Sequence, residues 1–180
     1  MRKIKSATKK EKIQKNTFLD SKAKIINAVI AVVVVMIIVA VFMFMESGKG
    51  NLVIKNDTDL KLEYVKVTFV NSEGPMNEGM NFENIDANNS KKILSGQHDL
   101  RGTEANLEVR FKFENYDEIF TDAGYFNDDF KGNINIDFER TKQDGVVTLK
   151  VKAKNSLLPS NLINCDEEYS VDLSKGYVAE

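Results

Sequence analysis

Residues 25–45 read IINAVIAVVVVMIIVAVFMFM, twenty-one positions without a charge, in which Asn27 is the single polar side chain. At about 1.5 Å of rise per residue the run makes a helix of roughly 31 Å, the thickness of a bilayer's hydrocarbon core. Fourteen of the positions are Val, Ile or Phe, each favouring insertion by about 0.3–0.6 kcal/mol near the centre of a span. Asn27 lies close enough to the start of the run for its amide to reach headgroup water, so it reads as an interfacial residue and not as a site. The run is expected to be a transmembrane helix, which leaves the rest of the chain as two flanks, residues 1–24 before it and 46–180 after it.

A cleaved signal peptide also combines a basic start with an apolar stretch, but its apolar region is about 7 to 15 residues long and ends in a small-x-small site. Here the run is longer, Ala40 is followed two positions later by Phe42, and Met45 and Glu46 stand where small residues are needed. No Cys follows closely enough for lipoprotein processing. The expectation is an uncleaved signal anchor. Nine basic side chains against Glu11 and Asp20 give residues 1–24 a net charge of +7, while the remainder carries −9. Lys and Arg bias a flank to the cytoplasm, so the sequence predicts a single-pass plasma-membrane protein with its N-terminus inside and its acidic C-terminal domain outside.

The first 24 residues are too few to bury a core and are expected to be a disordered or membrane-hugging basic tail that sets topology; lysines beside a membrane helix do not point to nucleic acid. Residues 46–51 form a short linker reaching at most about 20 Å, which keeps the following domain near the bilayer. Residues 52–180 suffice for one domain with one core.

In that domain Leu107, Val109, Phe111 and Phe113 alternate with Glu108, Arg110, Lys112 and Glu114, the period of a half-buried strand. Ile134, Ile136 and Phe138 repeat the pattern, as do Val147, Leu149, Val151 and Ala153, and the turn at 141–145 joins the two into a hairpin. A short strand at 52–55 and a long one at 60–70 flank a turn at 56–59. The long strand changes phase, Leu60, Leu62 and Tyr64 preceding Val65, Val67 and Phe69, and a bulge would keep both sets inward. Weaker strands fall at 80–85, 91–94 and 117–121. Residues 155–180 are the least legible, with Val171 and Leu173 suggesting a last strand and the acidic surroundings a loop or tail. Many short strands between turn clusters predict an all-β fold, an immunoglobulin-like antiparallel β-sandwich.

Chemistry is sparse. One His and one Cys exclude a Cys/His zinc site. A Cys165 nucleophile with His98 as base would make an envelope enzyme of the sortase kind, yet residues 162–165 read LINC, where sortases have Thr-Leu-x-Thr-Cys, and no Arg follows Cys165. Cys165 is instead read as a structural thiol, with a disulfide-linked homodimer as its other fate in an oxidising exterior. Asp122, Asn127, Asp128 and Asp129 raise an irregular calcium site, but an EF-hand counted from Asn127 puts Phe138 where a Glu belongs. Asn56 and Asn88 begin glycosylation sequons, relevant only in a eukaryote, whereas the abundance of Asn, Lys and Ile resembles a low-GC bacterial proteome.

Val53, Ile54, Lys55 and Asn56, then Tyr64 to Phe69, then Phe82, Ile85 and Ser90 to Ile93 resemble the FxLyD and telokin-like extracellular β-sandwich modules of Gram-positive membrane-anchored proteins. The resemblance covers about a quarter of the chain and implies protein interaction or a structural role, without catalytic residues, metal or cofactor. The leading expectation is therefore a non-catalytic envelope protein held in the lipid bilayer by residues 25–45, whose outer domain binds a protein or envelope partner, by strand addition if an edge is open. A pilin-like or secretion-machinery subunit is the alternative, although the chain has neither a Gly-Phe processing site nor a Glu five residues beyond one.

Overall fold

The computed structural model describes residues 4–46, 50–155 and 160–179, and the chain divides into two compact units, Met1–Ser47 and Gly48–Glu180. The first unit is one helix, α1, Ile4–Glu46. Its segment Lys22–Met43 is long and apolar enough to cross a membrane, and none of that segment is buried in protein. The helix extends further than the apolar run, taking in the basic flank from Ile4 where disorder or a surface-bound tail was expected. Residues 1–46 contain neither Gly nor Pro and are rich in Lys, Ala and Ile, so nothing in the flank interrupts a helix once the apolar run nucleates it.

The second unit is built from strands. In chain order they are β1 Gly50–Asp57, β2 Leu62–Asn71, β3 Gly74–Pro75, β4 Met80–Ile85, β5 Asn89–Gly96, β6 His98–Asp99, β7 Ala105–Phe113, β8 Ile119–Phe126, β9 Asp129–Phe130, β10 Asn133–Arg140, β11 Val146–Lys154, β12 Ile163–Asp172 and β13 Tyr177–Ala179. One ladder runs β2-β7-β8-β12-β11-β10-β1-β5, with β3 and β4 on the free side of β2 and β13 on β12, while β6 and β9 form a separate pair. The domain is all-β, as the period-2 alternation requires. One pairing departs from the antiparallel expectation: β1 and β10 run parallel, from Leu52 beside Ile134 to Asp57 beside Glu139. Alternation specifies which face a residue occupies and carries no information about strand direction.

The phase slip in β2 is a bulge. Leu62 pairs with Phe113 and Tyr64 with Lys112, leaving Glu63 as the extra residue, and Leu62, Val65, Val67 and Phe69 are all fully buried. Phe111 of β7 and Phe138 of β10 lie four steps apart along the ladder, yet their ring centroids are 4.9 Å apart in an edge-on contact. The sheet therefore curls until its two halves share one core. Phe69, Phe126 and Phe130 form a second aromatic group within that core, with centroids 5.1–5.6 Å apart.

The illegible C-terminal stretch is β12, ten residues long. Its half-buried or buried positions are Ile163, Cys165, Glu167, Tyr169 and Val171, with Asp172 half-buried at its end. The alternation is intact, but Glu167 and Tyr169 hold inward places that the pattern reserves for apolar residues, which hid it.

Asn56 is a fully buried polar residue at the end of β1. Its Nδ2 donates to the carbonyls of Leu60 at 2.8 Å, Ile85 at 3.2 Å and Asp86 at 3.1 Å. Its Oδ1 accepts from the Thr58 hydroxyl at 2.7 Å. One side chain thus joins β1, the following loop and the turn after β4, which is why Asn56 is an unsuitable glycosylation acceptor while Asn88 is exposed. Asn56→Asp keeps the shape and removes the donor, facing a carboxylate toward carbonyl oxygens in the core. It should lower stability by about 2–4 kcal/mol, at least as much as Asn56→Ala, in urea unfolding followed by circular dichroism. Equal stability of the wild type and Asn56→Asp would contradict this role.

Candidate functional site

The curl brings the two ends of the ladder toward each other. At one end β4 pairs with β2 and at the other β5 pairs with β1, and no ladder joins β4 to β5 among the described residues. The result is a seam between two strand edges, with the turn 86–88 at its base.

Register determines what faces into the seam. Ile93 lies opposite Leu52 and Lys91 opposite Ile54, and both β1 residues are fully buried. Directly opposed residues share a face of the sheet, so Ile93 and Lys91 are on the core face. Phe82, opposite the buried Val65, is on that face of β4. Ile93 nevertheless remains 37% exposed, because no strand covers the seam. Its groove has a volume of about 420 Å³ and is lined by Asn81, Phe82, Glu83, Lys91, Lys92 and Ile93. On the outer face it adjoins a second groove of about 470 Å³, where Glu63, Tyr64, Lys66 and Glu118 meet Asn81, Glu83 and Asn84 of β4.

Side chains, and not a ladder, span the gap. Lys91 Nζ donates to the Glu83 carbonyl at 2.5 Å. Beyond the far end of the strands Asn77 Nδ2 meets His98 Nδ1 at 3.4 Å, and His98 Nε2 meets the Ser95 carbonyl at 2.8 Å. Asn84 has a φ of 52°, a left-handed conformation that breaks the regular edge of β4. Lysine in an edge strand is a known device against unwanted pairing, and here Lys91 occupies the carbonyl that a new strand would use.

Part of the neighbouring outer surface is closed by ion pairs. Arg110 forms two bonds to Glu108, 2.6 and 2.8 Å, reaches Glu118 at 3.3 Å and lies 4.6 Å over the Phe120 ring. Glu118 also accepts from the Tyr64 hydroxyl, and this bond, ahead of Arg110, holds its carboxyl below the usual range. Burial first, then Glu118, pushes the Tyr64 phenol up to about 12, so it remains a donor at neutral pH. A carboxylate held down by a donor is poorly suited to act as a general acid. On β11, Lys150 pairs with Glu139 at 2.7 Å and Lys152 with Asp166 at 2.8 Å. Lys91 and Lys92 have no acidic partner among the described residues.

The residues singled out in the sequence are distributed differently. His98 borders the seam, its ring centroid 4.8 Å from that of Phe69. Cys165 is 4% exposed on β12, with Sγ 3.7 Å from the Val151 carbonyl and Gly124 packed against it. None of the contacts of either residue is with the other. Burial, then the Glu167 carboxylate, pushes the Cys165 thiol up to about 12, the reverse of what a nucleophile requires. An interchain disulfide would need β12 to leave its place. Asp122 lies in β8 opposite Glu108, separated from the loop acids. Asp128 accepts from Ser160 Oγ at 3.0 Å, and Asp129 lies 3.3 Å from Gln97 Nε2. Among the described residues no three His, Cys, Asp or Glu side chains are grouped to hold a metal.

The seam was not located by the sequence reading. Lys91, Lys92, Ile93 and Leu94 show no alternation, since an uncovered core face tolerates lysine. The one available signal was a pair of lysines in a short strand.

Since the unfolded thiol titrates near 8.5 and the folded one near 12, the native state holds the Cys165 proton more tightly. Its contribution to stability is complete below about pH 8.5 and declines as pH rises toward 12. Stability should fall more steeply across that window in the wild type than in Cys165→Ala, and native Cys165 should resist a thiol reagent that labels the unfolded chain. Rapid native labelling at neutral pH would refute the buried thiol.

Comparison of the chain with family models, with curated proteins and with solved structures gives no match.

Proposed function

We propose that this chain is a membrane-anchored binding protein without enzymatic activity, whose β domain takes up an extended segment of a protein partner between β4 and β5. The observation that carries the reading is the pair of unpaired strand edges over an apolar floor of Phe82 and Ile93. Strand addition uses edge N–H and C=O groups for affinity and the side chains of alternate positions for selectivity. A full strand between β4 and β5 needs about twice the 4.8 Å interstrand spacing. The Lys91 and Asn77 bonds would yield to that widening, and no ladder opposes it.

The helix within Lys22–Met43 serves in this reading as a retained anchor, with the basic flank in the cytoplasm and the domain outside the membrane. The grooves beside β4 contain neither Cys nor His, and two of their three carboxylates, Glu63 and Glu118, are committed to Lys112 and to Tyr64 and Arg110. Those commitments favour recognition over turnover.

A photo-crosslinking amino acid placed at Leu94, which is 57% exposed beside the seam, tests the reading in intact cells. Phe120, 53% exposed on β8, is the control for apolar exposure alone. The expected result is a discrete protein adduct from position 94 and none from position 120. Equal adducts from both positions, or none from 94, would refute the seam as the binding site.

A further inference from the structure

Resting on the reading of the seam as a strand-addition site, we infer that its occupant is an extended protein segment with a carboxylate side chain opposite Lys91 and an apolar one two residues away opposite Ile93. Lys91 is the residue that reads the carboxylate.

The inference comes from the position of one ammonium group. Lys91 is on the core face by register with Ile54, where an apolar side chain would be the ordinary choice. Its charge is met by a neutral backbone carbonyl, that of Glu83. Lys112 of β7 and Lys150 and Lys152 of β11 by contrast meet carboxylates, Lys112 with Glu63 at 2.7 Å, Lys150 with Glu139 at 2.7 Å and Lys152 with Asp166 at 2.8 Å. An ammonium bonded to a carboxylate is held more strongly than one bonded to a neutral oxygen. An incoming Asp or Glu at the position facing Lys91 would draw Nζ from the Glu83 carbonyl, and that carbonyl would then accept an N–H of the incoming backbone. The exchange removes the obstruction and completes the pairing in one movement.

Period 2 supplies the second element. Two residues along, the incoming strand presents a side chain on the same face, between Phe82 and Ile93. Phe82 is 4% exposed and Ile93 37% exposed, so an apolar group there covers surface that the fold leaves wet. A shift of one residue sends both side chains to the outer face, where the carboxylate would meet Glu83 of β4 together with Lys92 of β5 and the apolar side chain would lose the floor of Phe82 and Ile93. The seam is therefore selective for register as well as for composition.

The test uses the full chain in detergent and fluorescein-labelled peptides read by anisotropy. The probe is Thr-Val-Thr-Glu-Thr-Ile-Thr-Val-Thr, compared with one carrying Lys for Glu and one carrying Glu shifted by a single position. The wild type should bind the first peptide roughly tenfold or more tightly than either of the others. Lys91→Glu should reverse the preference between the Glu and Lys peptides. Lys91 is exposed, and an unchanged melting curve for the variant excludes misfolding. Binding of all peptides with one affinity would overturn the carboxylate inference while leaving strand addition standing, provided that crosslinking at Leu94 still yields its adduct. Binding of none would overturn the inference. Self-association of the chain that all three peptides displace equally would place a second copy in the seam and overturn it as well.

Discussion

Phe111 and Phe138 belong to strands four steps apart along the ladder, and their contact is what turns a long sheet into a domain. Phe113 joins them, its centroid 5.5 Å from that of Phe138. Edge-on aromatic pairs favour this geometry over face-to-face stacking, and each ring buries a large apolar area. Truncating any one of the three would remove about 3–5 kcal/mol, a large part of the stability of a domain this size. The contact also fixes the curvature, and the curvature decides which strand edges come to face each other. The seam is thus a consequence of core packing and not a local accident of β4 and β5.

Sheets that curl to this degree commonly close. Here closure is opposed at named positions. The left-handed Asn84 disrupts the edge of β4 and Lys91 puts an ammonium where β5 would otherwise present an apolar residue, while Asn56 holds the two ends together only at the base, by bonding the turn after β4 to β1. At the far end, Asn77 and His98 hold the two arms by a single side-chain bond. In the binding role proposed above, a seam of this kind would be stable when empty, since its edge groups remain in water or on lysine, and would open without unfolding the core.

The sequence was most informative where one face of a strand is dry and the other wet. β7, β10 and β11 were legible residue by residue, and the change of phase in β2 signalled a bulge, which falls at Glu63 and leaves Tyr64 on the outer face where the pattern had placed it inward. It was least informative where that contrast fails. β12 places Glu167 and Tyr169 inward, where Glu167 accepts the Gly124 N–H at 2.8 Å and Tyr169 reaches the Asp122 carbonyl at 3.0 Å. β5 has no covered face to mark. The parallel β1–β10 pair was beyond reach because direction leaves no trace in alternation. His98 drew notice as half of a catalytic pair and lies instead at the border of the seam, on contacts that sequence spacing could not reveal.

Native-state hydrogen exchange across residues 80–96 tests the unzipped seam most directly. Amides of β4 and β5 that point away from their single ladder partners should exchange orders of magnitude faster than those of β1 and β7, which are paired on both sides. Protection of the seam-facing amides equal to that of β1 would show that the two edges are bonded to each other and that the sheet is closed between β4 and β5.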